Sequence, residues 1–323
     1  MTTDAIPPAH YRGRDMHTSW HGRRLGAVGA VLFGIVTLVG CTSDAPTAAT
    51  EAPGTSSSSL STGSTTPSTN GTAPSPPVAA GSVPTGLPSV GLAGVNDPAC
   101  RSAHRPVVLL HGTFSTARSD FAAVAPALQA SGRCGYAIDY GSGGLGSVRA
   151  SAQAVTGFVD QVRAATGAEQ VDVIAYSQGG LVLRTALRLD GLAPGVAVAV
   201  LIAPSFHGST SPLLDAIPAG ACPACTDQAA GSTLLTELAV GGDLDGTVRY
   251  AVVSSTDDTI VTPTTSQVPQ GPPDRVASLV IQDRCPGERV DHLSMRADPG
   301  VVGWVLSALE TDGSPDPATL TCH

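Results

Sequence analysis

The sequence predicts an α/β fold in which a mostly parallel central sheet carries helices on both faces. Two observations support this class. Along residues 97–323, short β-rich apolar runs alternate with helical stretches, which is the pattern of βαβ units. Several of these runs are apolar throughout, as expected for parallel strands that are buried on both faces. A region of this length fits one such domain.

The individual elements follow from turn signals that separate the apolar runs. Strands are expected in this region at Pro106–Leu110, Tyr136–Asp139, Val171–Ala175, Val196–Ala203, Val248–Ser254 and Ser278–Ile281. Helical stretches lie between several of them and one closes the chain: Phe121–Ala130, Ser147–Thr166, Gly180–Asp190 and Val301–Glu310.

The segment before this domain has the features of an export signal. Arg23 and Arg24 precede an uncharged apolar run, Leu25–Val39, so residues 1–40 are expected to be a signal peptide. The run ends in Leu-Val-Gly-Cys at Cys41, which resembles the lipobox of bacterial lipoproteins and implies a lipid on that cysteine. An uncleaved membrane anchor is the alternative, but the run is shorter than the ~20 residues that span a bilayer. Both interpretations place the domain outside the cytoplasm, in the cell envelope.

Composition sets the role of the next segment and excludes one class of partner. Residues 41–96 are mostly Ser, Thr, Pro, Gly and Ala, so we expect a flexible, disordered tether without a packed core. The net charge is −9 and no basic cluster lies outside the extreme N-terminus, so no nucleic-acid partner is expected. We expect a monomer.

The candidate nucleophile is Ser177. It lies in Ala-Tyr-Ser-Gln-Gly, between the predicted strand that ends at Ala175 and the helix that begins near Gly180. A serine on a sharp strand-to-helix turn is the nucleophile elbow of α/β-hydrolases, in which the residues two positions away must be small. Ala175 takes the place of the usual first glycine. An ordinary turn is the alternative interpretation, so the remaining partners decide.

Chain order restricts the base and its orienting acid. In this fold the acid and then the histidine follow the serine. His207 comes too soon after Ser177 and His323 is the final residue, which leaves His292 as the base. Asp257 and Asp258 both follow the strand Val248–Ser254, where catalytic groups of parallel sheets gather.

The oxyanion donors are expected on two backbone groups. His111, Gly112 and Thr113 follow the first strand, and the loop at this place supplies one N–H group, while the residue after the nucleophile supplies the other. We therefore expect the N–H groups of Thr113 and Gln178 to act together. His111 precedes the serine and is expected to hold the loop.

These motifs together resemble the fungal lipase B type of triacylglycerol lipase and its actinobacterial relatives. The segments that carry the likeness are Ser177–Val182, Gly112-Thr113, Thr256–Pro263, Val290–His292 and Gly303–Leu309. The resemblance implies an α/β-hydrolase fold, Asp258 as the acid, and a Thr113 hydroxyl that assists the oxyanion donors. The chain departs from the family at His111, Tyr176 and Ser205, where a Pro, a Trp and an Asp are usual, so substrate preference does not carry over.

The cysteines suit an oxidising compartment. With Cys41 lipidated, six cysteines remain, and the sequence by itself leaves fifteen disulfide connectivities open. The resemblance implies Cys100–Cys134 and Cys285–Cys322, which leaves Cys222–Cys225. This last pair could instead be a redox or metal pair, but it lies in a loop and not at a helix start.

The sequence therefore predicts an exported, lipid-anchored serine esterase or lipase that needs neither metal nor cofactor and acts on lipid or small ester substrates. Ser177, His292 and Asp258 form the predicted triad. An acyltransferase or polyester depolymerase with the same triad is one alternative, and a non-catalytic envelope-binding lipoprotein is another. Ser205–Thr233 is a candidate lid.

Overall fold

A six-stranded, wholly parallel sheet forms the centre of the computed structural model, which describes residues 87–218 and 220–323. The predicted signal peptide, Cys41 and most of the predicted tether lie outside these residues. The strands are β1 (Val107–Leu110), β2 (Gly135–Ala137), β3 (Val171–Tyr176), β4 (Val196–Ile202), β5 (Arg249–Ser254) and β6 (Val276–Val280). Their order is β2-β1-β3-β4-β5-β6, so the chain reverses direction across the sheet between β2 and β3.

Helices cover both faces of the sheet, as the alternating pattern predicts. On one face lie Val148–Thr166 and Gln178–Leu189, and on the other lie Val124–Ala130 and Pro299–Glu310. Shorter helices lie at Ala117–Asp120, Pro212–Asp215, Pro223–Gln228, Thr233–Leu238 and Ile281–Arg284, with 3-10 turns at Ala193–Gly195, Thr264–Gln267 and Pro317–Thr319. Gly141–Gly144 is a tight turn in which Ser142 and Gly143 have left-handed dihedral angles. The α/β class is thus confirmed.

The longest helix shows how the sequence builds one layer. In Val148–Thr166, the side chains of Val155, Phe158, Val159 and Val162 are buried, and their spacing forms one apolar stripe. Ser147 accepts a hydrogen bond from the Ala150 N–H at the start of the helix. Gly167, with φ of 71°, ends it in the left-handed conformation that favours glycine.

Element boundaries differ from the predicted ones at several ends. The predicted helix Phe121–Ala130 begins only at Val124, because Phe121 is the C-cap of a separate short helix, Ala117–Asp120. The last strand is Val276–Val280, and Ile281 already starts a helix. The closing helix begins at Pro299, because the side chain of Asp298 caps it by accepting from the Val301 N–H at 2.9 Å.

Residues 87–96 lie against the domain. Val90 is buried, Val95 forms a parallel bridge with Gly135, and the side chain of Asn96 pairs with the Ala137 backbone at 2.7 and 2.9 Å. The packed part of the chain therefore includes residues from Leu87 onward. Among the described residues, no helix combines the length and the apolar character needed to cross a membrane.

Candidate active site

Ser177 lies on a strained turn between β3 and the helix Gln178–Leu189. Its φ and ψ are 54° and −121°, a conformation that L-residues rarely adopt. The turn requires glycines, because a Cβ on Gly179 would lie 2.3 Å from the Leu110 carbonyl oxygen and one on Gly180 would lie 2.4 Å from Pro204 Cβ. The elbow therefore lifts the serine side chain above the carboxyl edge of the sheet, where parallel-sheet sites gather.

The structure brings Ser177, His292 and Asp258 together. His292 Nε2 lies 2.9 Å from Ser177 Oγ, and His292 Nδ1 lies 2.7 Å from Asp258 Oδ2. All three side chains are buried. Because the carboxylate only accepts, Nδ1 carries the proton and Nε2 is free to accept from the serine hydroxyl. This is the arrangement of a nucleophile, its general base and the group that orients the base.

The two adjacent aspartates point to different partners. Asp258 accepts on both oxygens, from the N–H groups of Ile260 and Val261 at 2.8 and 2.9 Å and from Gln267 Nε2 at 3.0 Å, in addition to the imidazole. Asp257 instead pairs with Arg289 at 2.8 Å on the surface. Only Asp258 therefore orients the histidine.

Two hydroxyl groups hold the segment that carries His292. Tyr176, the residue before the nucleophile, donates from its hydroxyl to the His292 carbonyl oxygen at 2.9 Å. Burial raises the pKa of Tyr176, so the phenol stays protonated and remains a donor. Ser255 Oγ donates to the Val290 carbonyl oxygen at 2.5 Å. The backbone segment of His292 is thereby tied to the last residue of β3 and to the residue that directly follows β5.

The expected oxyanion donors are free to bind a ligand. Within the described part of the chain, the N–H groups of Thr113 and Gln178 donate to no other protein group. Gln178 opens the helix Gln178–Leu189, whose N-terminus carries a partial positive charge beside the serine. Gly144 lets its turn approach this loop, because a Cβ there would lie 2.6 Å from the Gly112 carbonyl oxygen.

The Thr113 hydroxyl lies between two glutamine amides. Gln178 Nε2 and Gln228 Nε2 each donate to Thr113 Oγ1 at 3.0 Å. Gln228 in turn accepts from Ser205 Oγ at 3.0 Å on its Oε1. Gln228 was not among the predicted site residues, because a glutamine at the end of a short helix carries no sequence signal of a site. With both amides donating, the hydroxyl of Thr113 keeps its own hydrogen for a further acceptor.

His111 holds the loop rather than acting as a base. It is fully buried, its ring stacks on Tyr140 at 4.1 Å, and its Nε2 accepts from the Tyr140 N–H at 3.1 Å. Its Nδ1 donates to the Gly112 carbonyl oxygen at 2.8 Å. Burial lowers the pKa of His111, so it stays neutral, as one donating and one accepting ring nitrogen require.

The candidate lid segment contacts the site. Its backbone and side chains bond to residues that follow Asp258, for example Ser209 Oγ to the Ile260 carbonyl oxygen at 2.7 Å. The Cys222–Cys225 disulfide lies at the start of its helix Pro223–Gln228, with Cys222 as the N-cap, so the expectation that this pair lies in a loop and not at a helix start is wrong. The structure also forms Cys100–Cys134 and Cys285–Cys322. Exposed apolar side chains lie beside the site and in this segment: Phe114, Leu293 and Leu213.

A separate cavity of about 740 Å³ lies away from this chemistry. Its lining includes Pro106 and Gln170, which precede β1 and β3, so it opens at the opposite edge of the sheet from Ser177. This cavity is therefore not part of the site around Ser177.

An elbow serine, a histidine–aspartate pair and two free N–H donors at the carboxyl edge of a parallel sheet define the α/β-hydrolase class. Residues 104–270 match the model of the class 2 lipase family, which is more than half of the 323-residue chain. The chain belongs to this family. The matched region contains Ser177 and Asp258.

A solved fungal structure shares the fold. The chain is similar to Aspergillus fumigatus lipase B, with 23% identity and a TM-score of 0.61, over 68% of this chain and 56% of that one. The chain thus spans little more than half of the fungal protein. It is also similar to mature Bacillus licheniformis lipase BlEst2, with 17% identity and a TM-score of 0.42, over 50% of this chain and 69% of that one. No curated protein matches the sequence.

Proposed function

We propose that this protein is a serine esterase or lipase that hydrolyses carboxylic esters through an acyl-enzyme on Ser177. The observation that carries the proposal is the continuous chain of hydrogen bonds from Ser177 Oγ through His292 to Asp258, at 2.9 and 2.7 Å. The membership of the class 2 lipase family supports the same chemistry.

In the first half-reaction, Ser177 Oγ attacks the ester carbonyl carbon while His292 Nε2 takes the hydroxyl proton. The carbonyl oxygen becomes an oxyanion, which accepts from the N–H groups of Thr113 and Gln178 and from the Thr113 hydroxyl. The imidazolium then gives its proton to the alcohol oxygen as the C–O bond breaks, and Asp258 stabilises the charged ring in between.

In the second half-reaction, water replaces the alcohol. His292 removes a proton from the water as its oxygen attacks the acyl carbon, and the same donors bind the second oxyanion. The proton returns to Ser177 Oγ when the acyl–enzyme bond breaks, which releases the carboxylic acid and restores the serine.

Replacing Ser177 by alanine tests this assignment. We expect p-nitrophenyl butyrate hydrolysis to fall to the background rate and labelling by a fluorophosphonate probe to disappear, since only an activated serine reacts with it. Ser151→Ala is the matched control, because Ser151 is buried but bonds only within its own helix segment. Retained hydrolysis in the Ser177 variant would refute the mechanism, and an unlabelled wild-type protein would favour the non-catalytic alternative.

We further propose that the enzyme is exported and anchored by a lipid on Cys41. The signal-like segment before Cys41 and the three disulfides of the catalytic domain support this location. When the full-length sequence is expressed, metabolic labelling with a radioactive fatty acid should mark the protein in membranes, while the Cys41→Ala variant should be unlabelled. Equal labelling of both chains would contradict lipidation at this residue.

A further inference from the structure

The carboxylate of Asp120 joins two loops that carry different parts of the active site. Its side chain is fully buried and accepts three hydrogen bonds: from the Gly112 N–H at 2.8 Å, from Ser115 Oγ at 2.6 Å and from Arg296 Nη1 at 2.7 Å. Two of these donors belong to the loop of the oxyanion donor Thr113. The third follows the base His292 by four positions.

On the first side, one carboxylate holds both flanks of the oxyanion residue. Gly112 precedes Thr113 and bonds to Asp120 Oδ2, and Ser115 follows it by two positions and bonds to Oδ1. Between them, Phe114 adopts a φ of 54°, which is strained for an aromatic residue and persists only where its surroundings fix it. The direction of the Thr113 N–H group therefore depends on Asp120.

On the second side, Arg296 is coupled to the base through one turn of backbone. The N–H groups of Ser294 and Met295 donate to the Asp291 carbonyl oxygen at 3.1 and 3.2 Å, and the Met295 side chain is fully buried. Arg296 follows directly, with its side chain 31% exposed. Through its bond to Asp120, Arg296 therefore anchors the turn that directly follows His292.

We propose that the Asp120–Arg296 pair is a positioning device for the reaction, which fixes the oxyanion donor of Thr113 relative to the imidazole of His292. The inference rests on the proposed ester hydrolysis. During that reaction the oxyanion develops on the carbonyl oxygen while the serine proton passes to the imidazole, so donor and base must be correctly placed at the same moment. Misplacement by about 1 Å is enough to slow an enzyme about 10²-fold.

The chain contains a matched ion pair that lacks this connection. Arg105 Nε lies 2.7 Å from Asp172 Oδ1, with side chains 35% and 1% exposed, against 31% and 0% for Arg296 and Asp120. Arg105 also pairs with Asp312, so its replacement removes at least as much ion pairing as the replacement of Arg296. Asp172 lies near the start of β3, at the edge of the sheet opposite Ser177. If the Arg296 pair only stabilised the fold, both arginines should behave alike when they are changed.

The test compares Arg296→Gln with Arg105→Gln in the full-length protein. Rates on p-nitrophenyl butyrate are normalised to the fraction of molecules that a fluorophosphonate titrates. The inhibition constant of butylboronic acid, whose adduct with the serine imitates the tetrahedral intermediate, is measured in parallel. For Arg296→Gln we expect kcat to fall about 10–100-fold with KM within about threefold, and boronic acid binding to weaken by a similar factor. Arg105→Gln should keep kcat within about twofold.

Two milder variants keep the test decisive if Arg296→Gln folds poorly. Arg296→Lys retains a cationic donor and should recover part of kcat. Ser115→Ala removes one donor to Asp120 and should lower kcat without changing KM. An unchanged kcat in Arg296→Gln, or an equal loss in Arg105→Gln, would overturn the positioning role. If Ser177→Ala abolishes hydrolysis in the same assay, that outcome leaves the proposed function standing.

Discussion

Replacing Thr113 by valine removes one hydroxyl group and keeps the branched shape of the side chain. We expect kcat for p-nitrophenyl butyrate to fall about 10²–10³-fold, or about 2.7–4 kcal/mol of transition-state stabilisation, as for the loss of one oxyanion donor. The reason lies in the two amides, since Gln178 and Gln228 each donate to Thr113 Oγ1 at 3.0 Å. Because both acceptor positions of Thr113 Oγ1 are occupied, its hydrogen is already free before substrate binds and can be donated to the oxyanion when that forms.

The same substitution should also lower stability. Each amide keeps its second acceptor, the Gly144 carbonyl oxygen at 2.8 Å for Gln178 and the Ala224 carbonyl oxygen at 3.1 Å for Gln228, but loses the threonine oxygen. A buried donor left without an acceptor costs about 1–3 kcal/mol, so the free energy of unfolding should fall by about that amount for each amide. Urea unfolding measures this loss separately from the rate.

Thr113→Ser is the control, because it keeps the hydroxyl and removes only a methyl group. Its kcat should lie much closer to that of the wild type, and its KM should be similar. The reasoning would be refuted if the valine variant, once shown to be folded, kept kcat within about threefold of the wild type. It would also fail if the serine variant were as slow as the valine variant.

Two further substitutions test the orienting acid and the buried histidine. Asp258→Asn should lower kcat about 10³–10⁴-fold, because in either orientation the new amide places its NH₂ group against protein donors and disturbs the His292 tautomer. Asp257→Asn is the control and should change kcat little. An Asp258→Asn variant with nearly wild-type kcat would contradict the assignment. Burial lowers the pKa of His111 in the folded protein, so below pH ~6.5 the unfolded chain takes up a proton that the folded chain does not. The free energy of unfolding should therefore fall on acidification, by at most about 1.4 kcal/mol per pH unit. Urea titrations from neutral to acidic pH should show a shallower fall in His111→Gln than in the wild type, and an equal slope in the two proteins would contradict this cause.

Much of the fold is predictable because its signals are local. The strands follow from β-branched runs such as Val196–Ile202, and the elbow follows from small residues around one serine. The ends of elements are less predictable, because tertiary contacts decide them. Phe121 has a helix-compatible sequence context, but it closes one helix and packs into the core beneath the sheet.

The supporting residues of the site escape sequence reasoning for a different reason. Gln228 reaches Thr113 across 115 positions of sequence and Arg296 reaches Asp120 across 176. A hydrogen bond over such a separation leaves no periodicity or spacing along the chain. The backbone donors are expected from the fold, but the side chains that aim them appear only once the loops are folded.

The adjacent aspartates show where the physical choice is made. Consecutive side chains diverge, so only one of Asp257 and Asp258 can face the histidine, and composition cannot say which. In the fold, the turn after β5 directs Asp257 to the exposed Arg289 and Asp258 inward, where four N–H donors converge on its two oxygens. Three of those donors come from residues 260–267 of the same loop, so this loop prepares the carboxylate position before the imidazole binds it. Orientation of the base is therefore a property of the loop after β5, and changes in that loop should affect proton transfer more strongly than substrate binding.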